Sequence, residues 1–233
     1  MKRRILAALA AASALALPAI HATAQRAPAR PAAQDWTRTV VRTPAGGFRM
    51  GNPAAPIKLI EYLSFACSHC AAFHAESGVA LFRDYVRPGR VSVEYRNILI
   101  NAADVPATML ARCLPPRAYF AMGHELLSTQ STWEGRPLTD AQRAQLQGLE
   151  APALAQRMAS ILGLDRVAVR HGLAPAAQRA CLSNPANFNQ LDQIGNAAER
   201  QFGVTGTPTF LINGRTITDT NVWSGIEPLL RGR

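Results

Sequence analysis

The chain is expected to fold as an α/β protein, with a β-α-β unit and an α-β-β-α unit separated by a long helical block. Three observations predict this. An apolar strand candidate, Ile57 to Tyr62, runs directly into a helix that opens on Cys67-Ser68-His69-Cys70. Residues 103 to 184 read as a string of helices. Near the C-terminus two β-prone runs flank Asn213-Gly214, a strong hairpin signal. With 48% hydrophobic and 17% charged residues, a chain of 233 has ample material for a core.

The first residues stand apart from that core. Lys2, Arg3 and Arg4 precede an Ala/Leu/Ile run from Ile5 to Leu17, and Ala22-Thr23-Ala24 forms an A-x-A site. The run is short for a bilayer span, and its flanks are those of a cleaved signal peptide. Residues 1–24 are therefore expected to be removed after Ala24, which places the mature protein in the periplasm. Residues 25–35, rich in Ala and Pro, are expected to form a disordered leader.

From there the elements follow in order. Thr39-Val40-Val41 is a short strand candidate, and Gly46, Gly47, Gly51, Pro53 and Pro56 mark a loop. After the strand at 57–62, a helix carries Phe73, Phe82 and Val86 on one face and ends at Pro88-Gly89. Val91 to Asn97 alternates as a second strand. In the helical block Tyr119, Met122 and Leu126 share one face, and Leu154, Met158 and Ile161 another. Thr139-x-x-Gln142 is a capping box. Asn184-Pro185 starts a further helix that stops at Gly203, and Val222 to Leu230 closes the chain as a helix. This order is a thioredoxin fold with an inserted all-helical domain: residues 36–102 as its first part, 103–184 as the insertion, and 185–233 as its second part.

The formal net charge of +10 includes three positive charges within the first four residues; the lysines are Lys2 and Lys58, and the other basic residues are arginines. A basic chain invites a nucleic-acid reading. The arginines form no block and no helical stripe, and no aromatics interleave with them. A solvated basic surface on an exported protein is the better account, and no nucleic-acid partner is expected.

Export makes disulfides durable, and four cysteines can pair fully. Attack on a disulfide requires a thiolate. Cys67 at a helix N-terminus meets unpaired N–H groups and the positive dipole end, which favour negative charge. Cys70 lies one turn on, within reach of a small disulfide. Cys67 is thus expected to be the exposed attacker and Cys70 the buried resolving thiol. A partly protonated His69 imidazole is expected to depress the Cys67 pKa further. Three rival readings of the motif are weaker. Structural zinc needs a second C-x-x-C or paired histidines, which His74 and His124 do not provide, so no metal is expected. Covalent haem needs His where Ala71 stands. An inert disulfide this tight contributes little chain-entropy stabilisation.

Gly206-Thr207-Pro208-Thr209 enters a strand, where proline is tolerated for structural reasons alone. The functional alternative is a cis Thr207–Pro208 bond beside the C-x-x-C, presenting backbone to an extended substrate. With Cys67 and Cys70 assigned to chemistry, Cys113 and Cys181 remain. They either bridge the two ends of the insertion as a structural disulfide or serve as small buried fillers.

Several segments together resemble the DsbA family of bacterial periplasmic thiol:disulfide oxidoreductases, within the thioredoxin superfamily. They are Met50-Gly51-Asn52-Pro53 with Ala55-Pro56, the run Ile60 to Cys70 (IEYLSFACSHC), VEYRN, and GVTGTPTFLINGR from Gly203. The resemblance spans residues of roughly 45 to 230. It implies that the bond before Pro208 is cis. It also implies that Glu61 is a buried acid assisting proton transfer at the second cysteine; an exposed strand carboxylate is the alternative. Ser68 departs from the proline that the best-known members carry there.

The expected activity is oxidation of reduced, unfolded or partly folded exported proteins by a Cys67–Cys70 couple. No bound cofactor is implied; a membrane partner linked to quinone would reoxidise the couple. A disulfide isomerase or reductase is the nearest rival. Such isomerases usually add an N-terminal dimerisation domain, for which residues 25 to 45 are too few, so a monomer is expected. A non-catalytic binding or chaperone module is the rival from another class, and the presence of both cysteines weighs against it.

Overall fold

Two strands buried on both faces over most of their length form the centre of the sheet. These are β3 (Ile57–Leu63) and β4 (Val91–Asn97), which pair in parallel. A parallel pair needs a crossover. Here it is α1 (Ser68–Ala80), which continues through a π-helical turn at Leu81–Val86. The remaining strands are β1 (Val40–Arg42), β2 (Phe48–Gly51), β5 (Thr209–Ile212) and β6 (Arg215–Ile217), all antiparallel to their neighbours. The computed structural model describes residues 34–231, and among them the sheet order is β1-β2-β4-β3-β5-β6. The signal segment and the cleavage after Ala24 lie outside the described residues.

Two expectations near the N-terminus are corrected. Asp35, assigned to the leader, caps a 3-10 turn at Trp36–Arg38 by accepting the Thr37 N–H at 3.0 Å. The stretch read as a loop on its glycines and prolines contains β2. Its own propensity is weak, but pairing with β1 on one side and β4 on the other satisfies its backbone. Gly51 in β2 has φ +117°, and a Cβ there would meet the Val91 carbonyl oxygen and the Ser92 Cα at 3.0 Å. Local composition signalled a turn, and tertiary pairing overrode it.

Between β4 and the last four elements of the fold lie seven helices. They are α2 (Asp104–Arg112), α3 (Pro116–Ser128), α4 (Gln130–Trp133), α5 (Asp140–Ala144), α6 (Ala151–Ile161), α7 (Leu164–Arg170) and α8 (Pro175–Leu182). Then come α9 (Pro185–Phe202), the β5–β6 hairpin and α10 (Trp223–Leu230). The predicted caps are realised: Thr139 and Gln142 form a reciprocal capping box, and Asn184 accepts the Ala186 N–H. Asn213 and Gly214 have φ of 51° and 82°, the two positive values that a tight hairpin turn of this kind requires.

The inserted helices share a large hydrophobic core with one face of the sheet, and Tyr62, Leu211 and the α9 residues Ile194 and Ala198 form a smaller one on the other face. Tyr119 of α3 stacks on Phe48 of β2 with centroids 3.8 Å apart, and its hydroxyl donates to the Asn97 side-chain oxygen at 2.8 Å. On the α1 side Phe73 packs against Phe210 of β5 at 4.4 Å and against Trp223 of α10 at 6.0 Å. Fully burying an aromatic ring such as Phe73 contributes roughly 2–3 kcal/mol, so α1 is firmly seated. Cys113, at the C-cap of α2, is joined to Cys181 of α8 by a disulfide with an S–S distance of 2.01 Å and Cα atoms 6.1 Å apart.

Candidate active site

The β3 strand ends at Leu63, and the next four residues turn into α1. The Ser64 carbonyl accepts the Cys67 N–H at 3.3 Å, and the Ser64 hydroxyl oxygen accepts the Ala66 N–H at 3.0 Å. This compact turn delivers Cys67 to the N-cap of α1 with an extended backbone, φ −84° and ψ 120°. No side-chain oxygen caps this helix, so its first N–H groups are available to the sulfur.

The antiparallel β3–β5 pairing brings the second half of the site into place. Tyr62 is opposite Thr209, so the segment entering β5 arrives beside the segment leaving β3. The Thr207–Pro208 bond is cis, Pro208 is buried, and Cys67 Sγ lies 3.2 Å from the Thr207 carbonyl oxygen. Cys67 and Cys70 are both unbridged.

The two sulfurs sit in opposite electrostatic settings. The Cys67 pKa is lowered to about 4, first by the Cys70 thiol as hydrogen-bond donor, then by a hydrogen bond from the Thr207 side chain and by the backbone N–H groups of Cys70 and His69, against the opposing effect of burial. Cys70 is pushed far up, mainly by burial, then by its hydrogen bond to Cys67 and the charges of Glu61 and Cys67. Two sequence expectations need correction. Cys67 is only 7% exposed, covered by the turn and by the Thr207 segment, so the attacking sulfur is recessed; Cys70 at 0% is nevertheless the more enclosed. His69 is exposed, and its contribution to the Cys67 thiolate comes from its peptide N–H, whereas the sequence argument assigned this to the imidazole.

Glu61 is buried in the sheet centre, 2% exposed, between Tyr95 of β4 and Phe210 of β5. Burial first, and the Cys67 charge second, raise its pKa to about 8. A carboxyl with that value holds a proton at neutral pH and can still release it.

Sequence reasoning missed three polar contributors to the site. Asp104, fully buried at the start of α2, accepts the Ser64 hydroxyl at 2.5 Å and the Thr108 hydroxyl at 3.0 Å. Burial raises its pKa to about 6 despite these bonds. Ser64, its partner, anchors the turn from inside. Gln130, the first residue of α4, donates its amide to the carbonyls of Phe65 at 2.7 Å and Cys67 at 3.0 Å. Ser64 and Asp104 are polar residues beside apolar runs, a faint signal; nothing local marks Gln130. Among the described residues no group of three or more His, Cys, Asp or Glu side chains is placed to hold a metal ion.

The thioredoxin family profile matches residues 43–231. The chain belongs to the thioredoxin family. A Rickettsia bellii protein named "Putative protein-disulfide oxidoreductase" is 25% identical over 166 residues, covering 71% of this chain and 56% of its own; its Rickettsia typhi counterpart is 24% identical over the same length. The chain thus spans about half the length of these curated relatives. A crystal structure of a protein-disulfide isomerase from Novosphingobium aromaticivorans superposes with a TM-score of 0.72 at 29% identity, covering 78% of this chain and 94% of that one. The Wolbachia pipientis alpha-DsbA1 structure gives 0.63 at 19% identity, covering 84% and 94%. The latter likeness concerns the fold alone: a thioredoxin-family sheet with a helical insertion of the DsbA kind.

Proposed function

We propose that the protein is a periplasmic thiol–disulfide oxidoreductase that introduces disulfides into reduced, unfolded or partly folded exported proteins. The observation that supports it best is the asymmetry of the cysteine pair: a thiolate-stabilised Cys67 at the α1 N-terminus, 3.2 Å from the carbonyl before a cis proline, with a buried high-pKa Cys70 behind it. Stabilising the reduced form as a thiolate makes the disulfide form the stronger oxidant.

A substrate thiolate attacks Cys67 Sγ of the Cys67–Cys70 disulfide, forming a mixed disulfide and releasing Cys70 as a thiolate. Cys70, whose charged form is disfavoured, takes a proton, and Glu61 is the buried acid placed to supply it. The second substrate thiolate then attacks the substrate's first sulfur in the mixed disulfide, forming the substrate disulfide and expelling Cys67 as the favoured thiolate. Substrate is oxidised by two electrons and the protein reduced by two. Reoxidation falls to a membrane partner that passes the electrons to quinone. Thr207 and Pro208 offer backbone to an extended substrate segment. Between α1 and the α3–α4 segment an open groove of about 680 Å³, lined by Ala71, Ala75, Val79 and Leu127 together with His74 and Gln130, offers a partly apolar surface for unfolded clients.

The test sets oxidation of a reduced dithiol peptide against reshuffling of a scrambled-disulfide protein. Oxidation stoichiometric with the Cys67–Cys70 disulfide and abolished in Cys67→Ser is the expected result. Reshuffling faster than net oxidation would move the assignment to an isomerase, and peptide binding that persists with no redox chemistry in the wild type would leave a binding module. A monomer in solution is expected by sedimentation.

A further inference from the structure

We propose that Gln130 is a positioning residue for the Cys67 thiolate, through which the helical insertion tunes the redox pair. The inference rests on the functional reading above.

The turn from Ser64 to Cys67 is gripped from two sides by the helices that follow β4. From α2, the Asp104 carboxylate accepts the Ser64 hydroxyl, and that hydroxyl oxygen in turn accepts the Ala66 N–H. From α4, the Gln130 amide donates to the carbonyls of Phe65 and of Cys67 itself. The Cys67 carbonyl also accepts the Ala71 N–H at 3.1 Å as the first hydrogen bond of α1. Gln130 is 63 residues from Cys67 and makes these its side-chain hydrogen bonds to the site.

The consequence is electrostatic. Each carbonyl oxygen is the negative end of a peptide dipole, and two of them lie within two residues of a sulfur that bears a full charge when reduced. Donation from Gln130 withdraws electron density from both oxygens and fixes the Cys67 peptide, which aligns the sulfur with the N–H groups of His69 and Cys70. Without the donor, the Phe65 oxygen loses its partner and the Cys67 carbonyl is held by the Ala71 N–H alone. The thiolate is then less well stabilised and the disulfide becomes less oxidising. Both cysteines, the cis proline and the sheet are untouched.

The experiment compares wild type with Gln130→Met, which keeps length and volume but donates nothing. Thiolate absorbance near 240 nm of the reduced protein gives the Cys67 pKa; equilibration with glutathione gives the redox equilibrium. Gln130→Met should raise the Cys67 pKa by about one unit and lower the oxidising equilibrium constant about tenfold. Its reduced form should lose more thermal stability than its oxidised form. Gln130→Asn, too short to reach both carbonyls, should shift the same quantities in the same direction by less, and it serves as the readout if the Met variant does not fold. A purely architectural Gln130 would instead lower the stability of both redox forms equally and leave the titration and the equilibrium within twofold of wild type, which overturns the proposal. If wild-type Cys67 itself titrates as an ordinary thiol, the functional reading falls; if it titrates in the acid range but the variants leave it there, only this inference falls.

Discussion

Replacing both Cys113 and Cys181 by alanine should destabilise the protein by about 4 kcal/mol without harming the redox couple. The bridge joins residues 68 apart in sequence. In the chain-entropy treatment a loop of that size restricts the unfolded chain by roughly 15 cal/mol/K, or about 4 kcal/mol at 25 °C. The native cost of the substitution is small. Alanine fills part of the space of the buried Cys181, and Cys113 is exposed. In a domain of this size about 4 kcal/mol lowers the melting temperature by roughly 10 °C. The assay is thermal and urea unfolding of the oxidised double variant beside wild type. The urea slope should rise, because an unbridged denatured chain exposes more surface. Peptide oxidation by Cys67–Cys70 should persist at the wild-type rate when measured well below the melting point. A melting shift under about 3 °C with an unchanged urea slope would refute the reasoning, since it would mean that the bridge restricts nothing that packing of α2 against α8 does not already hold.

The remaining expectations concern the redox pair. Iodoacetamide should label Cys67 and spare Cys70, with a rate that rises through pH about 4 and is flat above pH 6, the signature of a depressed thiol pKa; equal labelling of both cysteines would contradict it. Between pH 5 and 7 reduction should take up one proton per two electrons, because Cys67 stays a thiolate while Cys70 and Glu61 stay protonated. The couple's potential should therefore fall by about 30 mV per pH unit, where an ordinary dithiol falls by about 59 mV. Glu61→Gln should slow net formation of the mixed disulfide by roughly 10–100-fold at pH 7, seen as delayed appearance of that species on quenched gels. Since the folded Glu61 pKa is raised, its favourable contribution is complete below about 4.5 and disappears as pH rises through about 8. Glu61→Gln should accordingly gain stability over wild type at pH 8 relative to pH 5, by a few kcal/mol in urea titrations.

What the sequence revealed of this architecture was local. The switch from an apolar strand to a helix at Cys67, the capping box at Thr139 and the positive-φ turn at Asn213-Gly214 are fixed by residues within a few positions of one another, and each is found in the structure. The features that escaped are those settled by distant partners. Strand β2 exists because β1 and β4 flank it, and its own Gly-rich neighbourhood argued for a loop. The exposure of Cys67 was misjudged because its cover comes from Thr207, 140 residues away. The Ser64–Asp104 and Gln130 contacts span 40 to 65 residues; the apolar runs beside Ser64 and Asp104 mark them only faintly, and nothing local marks Gln130. His69 was a sound candidate by chemistry, but the helix N-terminus already supplies the donors, and His69 contributes through its peptide N–H.

The position of Glu61 shows how much of the site depends on strand register. Along β3 the side chains alternate between two cores. Leu59 and Leu63 join the large cluster that contains Cys70 and Phe73 of α1, whereas Tyr62 joins Ile194 and Ala198 of α9 on the other face. Glu61 falls on the Leu59–Leu63 face by the same alternation. Its charge therefore acts on the buried cysteine, and the thiolate charge of Cys67 acts back on it. A slip of one residue against β4 and β5 would turn Glu61 toward α9 and place Ile60 or Tyr62 behind the cysteines. The apolar residues that fix the register thereby also fix which acid serves which thiol. One turn of α1 separates two sulfurs of opposite tendency, because Cys67 meets N–H groups at the helix end while Cys70 meets a buried carboxyl in the sheet.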